Sequence, residues 1–320
     1  MSTRTLADLA EQAEQQPLTW LVPSTIVEGG VHVIHGKEES FKTTLAIQLL
    51  EGLNIGGRFL DWELPGGLRV GFAELEMTER IFKQRARSFL KPAKKKAEIL
   101  VLSAEERRKI LDGKTAEARV RLLVEWAKEN SLDVIAIDSI AKLFPPDANI
   151  GSQPAVSDVF NQLQKLGCAT ILIAHPRKSN QLLGANGTTG NDEIAGSGRF
   201  AQDPDIVLQV NRADRRAPRA VLSWGKNRLD FKPDDLEMYF DAVNFRLYPR
   251  HPFLHLLPAS REQLIEQAER RFGWKQRRAD DAIAELKELK DSEGDPLVEE
   301  LMQDRRVVFR PSSAVCHVKR

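Results

Sequence analysis

Residues 36–44 read GKEESFKTT and lie between an apolar run that suits a strand (Val31, Val33, Ile34) and one that suits a helix (Leu45, Ala46, Leu49, Leu50). Strand, loop and helix in this order match the phosphate-binding P-loop, G-x-x-x-x-G-K-[ST], in which backbone N–H groups at a helix N-terminus surround a polyphosphate. Gly36, Lys37, Glu38, Glu39, Ser40, Phe41, Lys42, Thr43 and Thr44 are therefore expected to contact ATP. Lys42 would reach the β- and γ-phosphates, and Thr43 would hold the Mg²⁺ that bridges them. One position departs from the pattern: Phe41 stands where the last glycine belongs, so the turn must be made with a side chain attached.

Hydrolysis of a triphosphate needs two carboxylates besides the cradle, one to organise the metal and one to polarise the attacking water. Asp138 closes the apolar run VIAID and is placed to meet the Mg²⁺ shell through water. Glu74 and Glu76 are the candidates for the base, because strand side chains alternate and both fall on one face near the C-terminal end of the strand starting at Leu68. Ligands of open α/β sheets sit at that end. Glu76 is the preferred base, and the other glutamate is expected to be structural. His175 follows the apolar run TILIA and is expected at the same edge, beside the γ-phosphate, where it would sense hydrolysis.

The remaining periodicities supply the frame. Val120, Leu123, Val124 and Ala127 recur at i, i+3, i+4 and i+7 ahead of a strand over 133–138, and a helix over 155–166 precedes a strand over 170–174. Strands alternating with helices predict an α/β fold, a mainly parallel sheet with helices on both faces. From Ile206 the segments IVLQV, RAVLSW and MYFDAVNFRLY alternate between short turns and predict an antiparallel edge. Residues 1–22 read as an amphipathic arm and lead-in, either packed on the main domain or docked on a neighbouring subunit. Residues 23–250 read as the ATPase domain. Residues 258–320, two helices and a β-ribbon, read as a small module of winged-helix type.

With 320 residues, 42% of them hydrophobic and 29% charged, the chain can bury one large core and a small second one. No uncharged apolar run reaches the roughly 18 residues of a membrane span, and the N-terminal stretch is charged, so a cytoplasmic location without membrane contact is expected. Cys168 and Cys316 show no metal-ligand spacing, and Cys168 is expected in or near the core. A net charge of +1 leaves any nucleic-acid affinity to local clusters. Lys91 to Lys96 (KPAKKK) is either a solvated helix end or such a contact. Arg270, Arg271, Lys275, Arg277 and Arg278 around Trp274 either hold duplex phosphates or balance Asp280, Asp281 and Glu285.

Taken in order, WLVPSTIVEGGVHVIHG, ELEMTER, VIAID, ILIAHPRK and GSGRFAQDPDIVLQV followed by WGKNRLD resemble the RecA-like ATPases, and within them the DnaB-type and plasmid RepA-type hexameric helicases. The resemblance covers residues 18–248 and rests on the ordered set. It implies that Glu76 is the catalytic glutamate, and that Lys226 and Arg228 form a lysine sensor and arginine finger inserted into a neighbouring subunit's ATP site. It also implies a homo-oligomer, usually a ring of six, in which the loops at 144–154 and after His175 face a channel and touch single-stranded DNA. Arg177, Lys178 and Arg199 are the expected contacts to the DNA backbone; no aromatic residue precedes Phe200 in that loop, so base stacking is not expected. The primase-interacting N-terminal domain of the DnaB type is not seen, which favours the shorter plasmid, phage or mobile-element type.

Two classes of function fit these motifs. One is a DNA helicase that couples hydrolysis to movement along a single strand. The other is an ATP-switched loader, initiator or recombination accessory protein that separates no strands and uses the C-terminal module to meet duplex DNA or a protein partner. A scaffold with a degenerate ATP site is suggested by Phe41 alone.

Overall fold

The computed structural model describes residues 5–90, 97–146, 153–175, 199–212, 218–229, 232–241, 245–249, 253, 256–272, 274–287, 298–303 and 306–311. The chain opens with α1 (Leu6–Gln15), β1 (Trp20–Val22), β2 (Ile26–Val27), β3 (Val31–His35), α2 (Lys42–Ile55), β4 (Gly57–Phe59), β5 (Trp62–Leu64) and β6 (Val70–Glu74). It continues through α3 (Glu79–Leu90), β7 (Ile99–Val101), α4 (Ala104–Leu111), α5 (Ala116–Glu129), β8 (Val134–Asp138), a 3-10 turn (Ile140–Leu143), α6 (Gln153–Gln164) and β9 (Ala169–Ala174). Then come α7 (Arg199–Gln202), β10 (Ile206–Asn211), β11 (Arg219–Asn227), β12 (Leu236–Asp241) and β13 (Arg246–Pro249). The last elements are β14 (Ala259–Ser260), α8 (Arg261–Phe272), α9 (Gln276–Lys287), β15 (Val298–Gln303) and β16 (Arg306–Pro311).

The chain divides into two compact units, Met1–Asn211 with Leu222–Asp235, and Arg212–Val221 with Leu236–Arg320. In the first, the strand order is β11-β10-β3-β9-β8-β6-β7. From β10 to β7 every neighbouring pair is parallel. The strands are short apolar runs buried along their whole length, as covering on both faces requires. Side chains alternate across the sheet, so Val31, Val33, Ala73, Ile135, Ile137 and Leu172 join α5 and α6 through Val120, Leu123, Val159 and Leu163. The opposite face meets α3, where Phe72 stacks on Phe82 with ring centres 5.6 Å apart. Cys168 is buried, as its apolar setting suggested. Helix α2 follows the P-loop and is apolar almost all round; Leu45, Ala46, Leu49, Leu50 and Leu53 are all buried, as befits a helix enclosed by structure.

Three features depart from the sequence reading. Residues 57–64 form a tight antiparallel hairpin, β4–β5, where the glycines and prolines suggested only a loop; Phe59 stacks on Trp62, and Trp62 meets Trp224 edge-on. Helix α1 is closed by a reciprocal capping box between Thr5 and Asp8 yet buries none of its residues, and Leu6 remains 84% exposed. Its packing onto the rest of the chain, one of two expectations, is therefore not observed: Leu6 and Leu9 give too thin an apolar stripe. Arg119 is a buried cation on α5 whose Nε and Nη donors reach the carbonyl oxygens of Gly113, Leu111, Lys142 and Phe144 at 2.6–3.1 Å. It ties the α4–α5 turn to the segment after Asp138.

The second unit holds the β12–β13 antiparallel pair and, at the C-terminus, α8 and α9 packed on a three-stranded sheet of order β14-β16-β15. Its core is Phe253, Leu264, Ala268, Ala279, Ile283, Leu286 and Phe309. Asp241 on β12 is fully buried, and Arg271 from α8 meets it at 2.8 Å. That pair commits Arg271 to the interior of this unit and withdraws it from the basic cluster read in the sequence. Arg278 lies over the Trp274 ring, 5.1 Å from its centre.

Candidate active site

The P-loop leaves β3 at Gly36, whose φ of +156° and close neighbours admit no side chain: a Cβ there would stand 2.2 Å from the Val210 carbonyl oxygen. At the far end of the loop Phe41 adopts φ +73°, ψ 15°, the left-handed geometry that the motif's glycine normally supplies, and α2 begins directly after it. The turn is thus made with the side chain in place, at a cost of about 1–2 kcal/mol. Lys42 is buried and folds over the loop; its Nζ donates to the carbonyl oxygens of Gly36 and Lys37, each at 2.7 Å. Burial, partly offset by Asp138, Glu76 and Glu38, pulls its pKa down to about 8.

Asp138 ends β8 beside the start of α2, where the Thr43 hydroxyl donates to its Oδ2 at 2.6 Å; the Asp138–Ser139 peptide is cis. Burial raises the Asp138 pKa against the pull of that hydrogen bond. Two hard oxygen donors side by side at the mouth of a phosphate cradle fit an octahedral Mg²⁺, so the residues expected to hold the metal are assembled.

The two glutamates at the end of β6 part company. Glu74 is paired in register with Asp138 and only 3% exposed, and its Oε1 accepts the backbone N–H groups of Glu76 at 2.7 Å and Met77 at 2.6 Å. Burial lifts its pKa to about 7. Glu76, one step beyond the strand, turns outward, and its Oε2 lies 3.3 Å from His175 Nε2. That contact holds its carboxyl below the usual range. Donor atoms of Glu76, Asp138 and His175 all lie within 4.8 Å of one another. Lys42, Thr43, Glu76, Asp138 and His175 therefore share the edge of the sheet where the parallel strands end.

Lys226 and Arg228 are elsewhere. Lys226 Nζ donates to the carbonyl oxygens of Pro204, at 2.6 Å, and Gln202; Arg228 donates to those of Asp203, at 3.3 Å, and Gln202. Burial, with Arg228 nearby, lowers the Lys226 pKa to about 8. The 202–205 segment is itself anchored at the start of β3: Asp205 N–H donates to Val31 O at 2.8 Å, and Asp205 Oδ2 accepts from Val31 N at 2.9 Å. Since β10 runs parallel to β3, the pair sits at the N-terminal edge, roughly 13 Å along the strand from the P-loop.

Arg199 on α7 is engaged with Asp203 at 3.2 Å, and Asp203 also accepts from Ser157. Arg177 and Lys178, like Lys91–Lys96, lie outside the described residues. The hydrogen bonds of Glu74 and the Arg107 contact to Leu75 O, 3.2 Å, were not foreseen; a second glutamate two residues before the expected base was the available signal.

A family profile described as AAA domain matches residues 2–181. Among solved structures, the chain resembles the ATPase domain of a helicase with a TM-score of 0.55 and 13% identity, covering 76% of this chain and 96% of the other. It also resembles a KaiC-like protein, PH0186, from Pyrococcus horikoshii OT3, with a TM-score of 0.48 and 15% identity over 72% of this chain and 93% of that one. No curated protein matches. Among the described residues no helix is long and apolar enough to cross a membrane.

Proposed function

The chain belongs to the AAA domain family and is a P-loop ATPase of RecA-like fold, and on that premise we propose that it works as an oligomeric, helicase-type motor on single-stranded DNA, of plasmid, phage or mobile-element type. The observation that carries this reading is the separation of the two halves of the chemistry. Glu76, Asp138, Thr43 and Lys42 occupy one edge of the sheet, while Lys226 and Arg228 occupy the other. A cationic pair at the far edge meets a triphosphate only by entering the site of a second copy, so hydrolysis belongs to an interface between subunits, with a ring of six as the expected assembly.

In that site the N–H groups at the start of α2 receive the phosphates. Lys42 exchanges the Gly36 and Lys37 carbonyls for the β- and γ-phosphate oxygens. Mg²⁺ would be held by Thr43 directly and Asp138 through water, and it supplies neutralisation of the charge spread over the β- and γ-oxygens. Glu76 takes a proton from the water that attacks the γ-phosphorus. His175, hydrogen-bonded to Glu76, registers the loss of the γ-phosphate and passes it to the segment that follows, where Arg177 and Lys178 would meet the DNA backbone together with Arg199. We assign residues 258–320 the role of a winged-helix-like accessory module.

The test is a set of three measurements on the full chain. Lys42→Ala should abolish ATP turnover, forked DNA should be unwound by the wild type with ATP, and images should show rings with ATP and single-stranded DNA. DNA-stimulated hydrolysis without strand displacement would identify a switch or loader instead, and full-speed turnover by a strict monomer would defeat the interface reading.

A further inference from the structure

At the turn between β6 and α3, four backbone groups in succession are pinned. Leu75 N–H donates to Asp138 O at 2.7 Å, Leu75 O accepts from Arg107 Nη2 at 3.2 Å, and the next two N–H groups, of Glu76 and Met77, both go to Glu74 Oε1. An apolar residue at position 74 would leave those two N–H groups without their acceptor on a turn that has no following helical carbonyl to offer them. The second oxygen, Oε2, is buried and takes no partner among the described residues, nor does Arg107 Nε. Glu74 and Arg107 both line a cavity of about 320 Å³, together with Phe82, Leu102 and Leu111, which is wide enough for water to solvate both groups.

We propose that Glu74 is a positioning residue for hydrolysis: its carboxylate oxygen, with Arg107 bracing Leu75 from the other side, sets the backbone angle at which Glu76 is presented to the attacking water. The inference rests on the reading of Glu76 as the base. Charge-assisted hydrogen bonds to backbone N–H groups are among the stronger ones. Displacing a reacting group by about 1 Å costs on the order of 100-fold in rate. Loss of the Glu74 acceptor should therefore appear in kcat, while nucleotide binding, set by the P-loop, stays in place. Glu74 itself cannot serve as the base in this geometry, because the oxygen nearest the turn is fully used by two N–H groups.

Glu74→Met fills the volume without an acceptor and should lower kcat by about 10- to 100-fold with KM for ATP changed by less than about 3-fold. Glu74→Gln keeps an amide oxygen for the same two N–H groups and should recover kcat to within about 3-fold of wild type, which a catalytic carboxylate would not allow. Arg107→Gln should lower kcat by a smaller factor, again at constant KM. Glu74→Gln as inactive as Glu76→Gln overturns the proposal, and so does wild-type kcat in a folded Glu74→Met. If Glu74→Met does not fold, Glu74→Gln and Arg107→Gln decide: the pattern stated for them supports the proposal, and any other overturns it. An active Glu76→Gln would sink the functional reading itself, whereas an inactive Glu76→Gln with an indifferent position 74 sinks only this inference.

Discussion

The two edges of the parallel sheet treat their cations and carboxylates differently. At the C-terminal edge the groups are already in mutual contact: Thr43 with Asp138 at 2.6 Å, Glu76 with His175 at 3.3 Å. At the N-terminal edge Lys226 and Arg228 are held by backbone carbonyls of their own chain. The first edge is organised for phosphate and water before either arrives. The second stores charge that has no phosphate to neutralise within its own subunit. One copy of the chain thus contains a complete set of catalytic groups but not a complete site.

The largest expected effect tests whether the two edges cooperate at all. Arg228→Ala should reduce turnover on the order of 10³-fold while ATP binding persists. Mixing that variant with Glu76→Gln subunits should restore part of the rate, because some interfaces then draw Glu76 from one chain and Arg228 from another. An arrangement within one chain predicts no rescue, and phosphate release across the mixing ratio reads the answer. Next in size, Glu76→Gln alone should cost about 10²- to 10⁴-fold in kcat with fluorescent-nucleotide affinity unchanged, which separates binding from hydrolysis at the first edge.

The strand joining the edges offers a smaller test. His32 on β3 is wholly buried; its Nε2 accepts from Val27 N–H at 3.0 Å, so Nδ1 donates to Thr170 O at 3.1 Å, and burial pushes its pKa down to about 4. The native imidazole stays neutral while the unfolded one takes a proton below its ordinary pKa of 6.5. Its stability contribution is therefore complete above about pH 6.5 and declines by about 3 kcal/mol as the pH falls towards about 4. Denaturant melts across that range should show the slope, and His32→Gln should flatten it. Smallest of all, Phe41→Gly should raise stability by about 1 kcal/mol or less, the left-handed penalty relieved minus the entropy that glycine gains in the unfolded chain. Thermal melting and nucleotide titration check that ATP affinity survives.

What could be read from residues alone was whatever is local. The P-loop, the strand ending on Asp138 and the strand before His175 each declare themselves in a short window, and the structure gathers them at one edge. Periodicity put Glu74 and Glu76 on the same face and had no means of separating them, because the chain leaves the strand between the two and only the backbone hydrogen bonds of the turn decide which carboxylate faces out. The β4–β5 hairpin escaped because its strands have three residues each, too short for an alternation to show. Arg271 looked like surface charge, and its partner Asp241 lies 30 positions away. Pairings of that kind follow from packing, and a linear pattern carries no trace of them.

Arg119 has a mechanical consequence. Its donors gather carbonyls from both the α4–α5 turn and the stretch running from Lys142 to Phe144, so these segments are laced at one point well inside the protein. A pull on the chain beyond Phe144 is thus borne by the guanidinium and delivered to α5 as a whole, sparing the carboxylate at the end of β8 from moving each time that outer stretch is tugged.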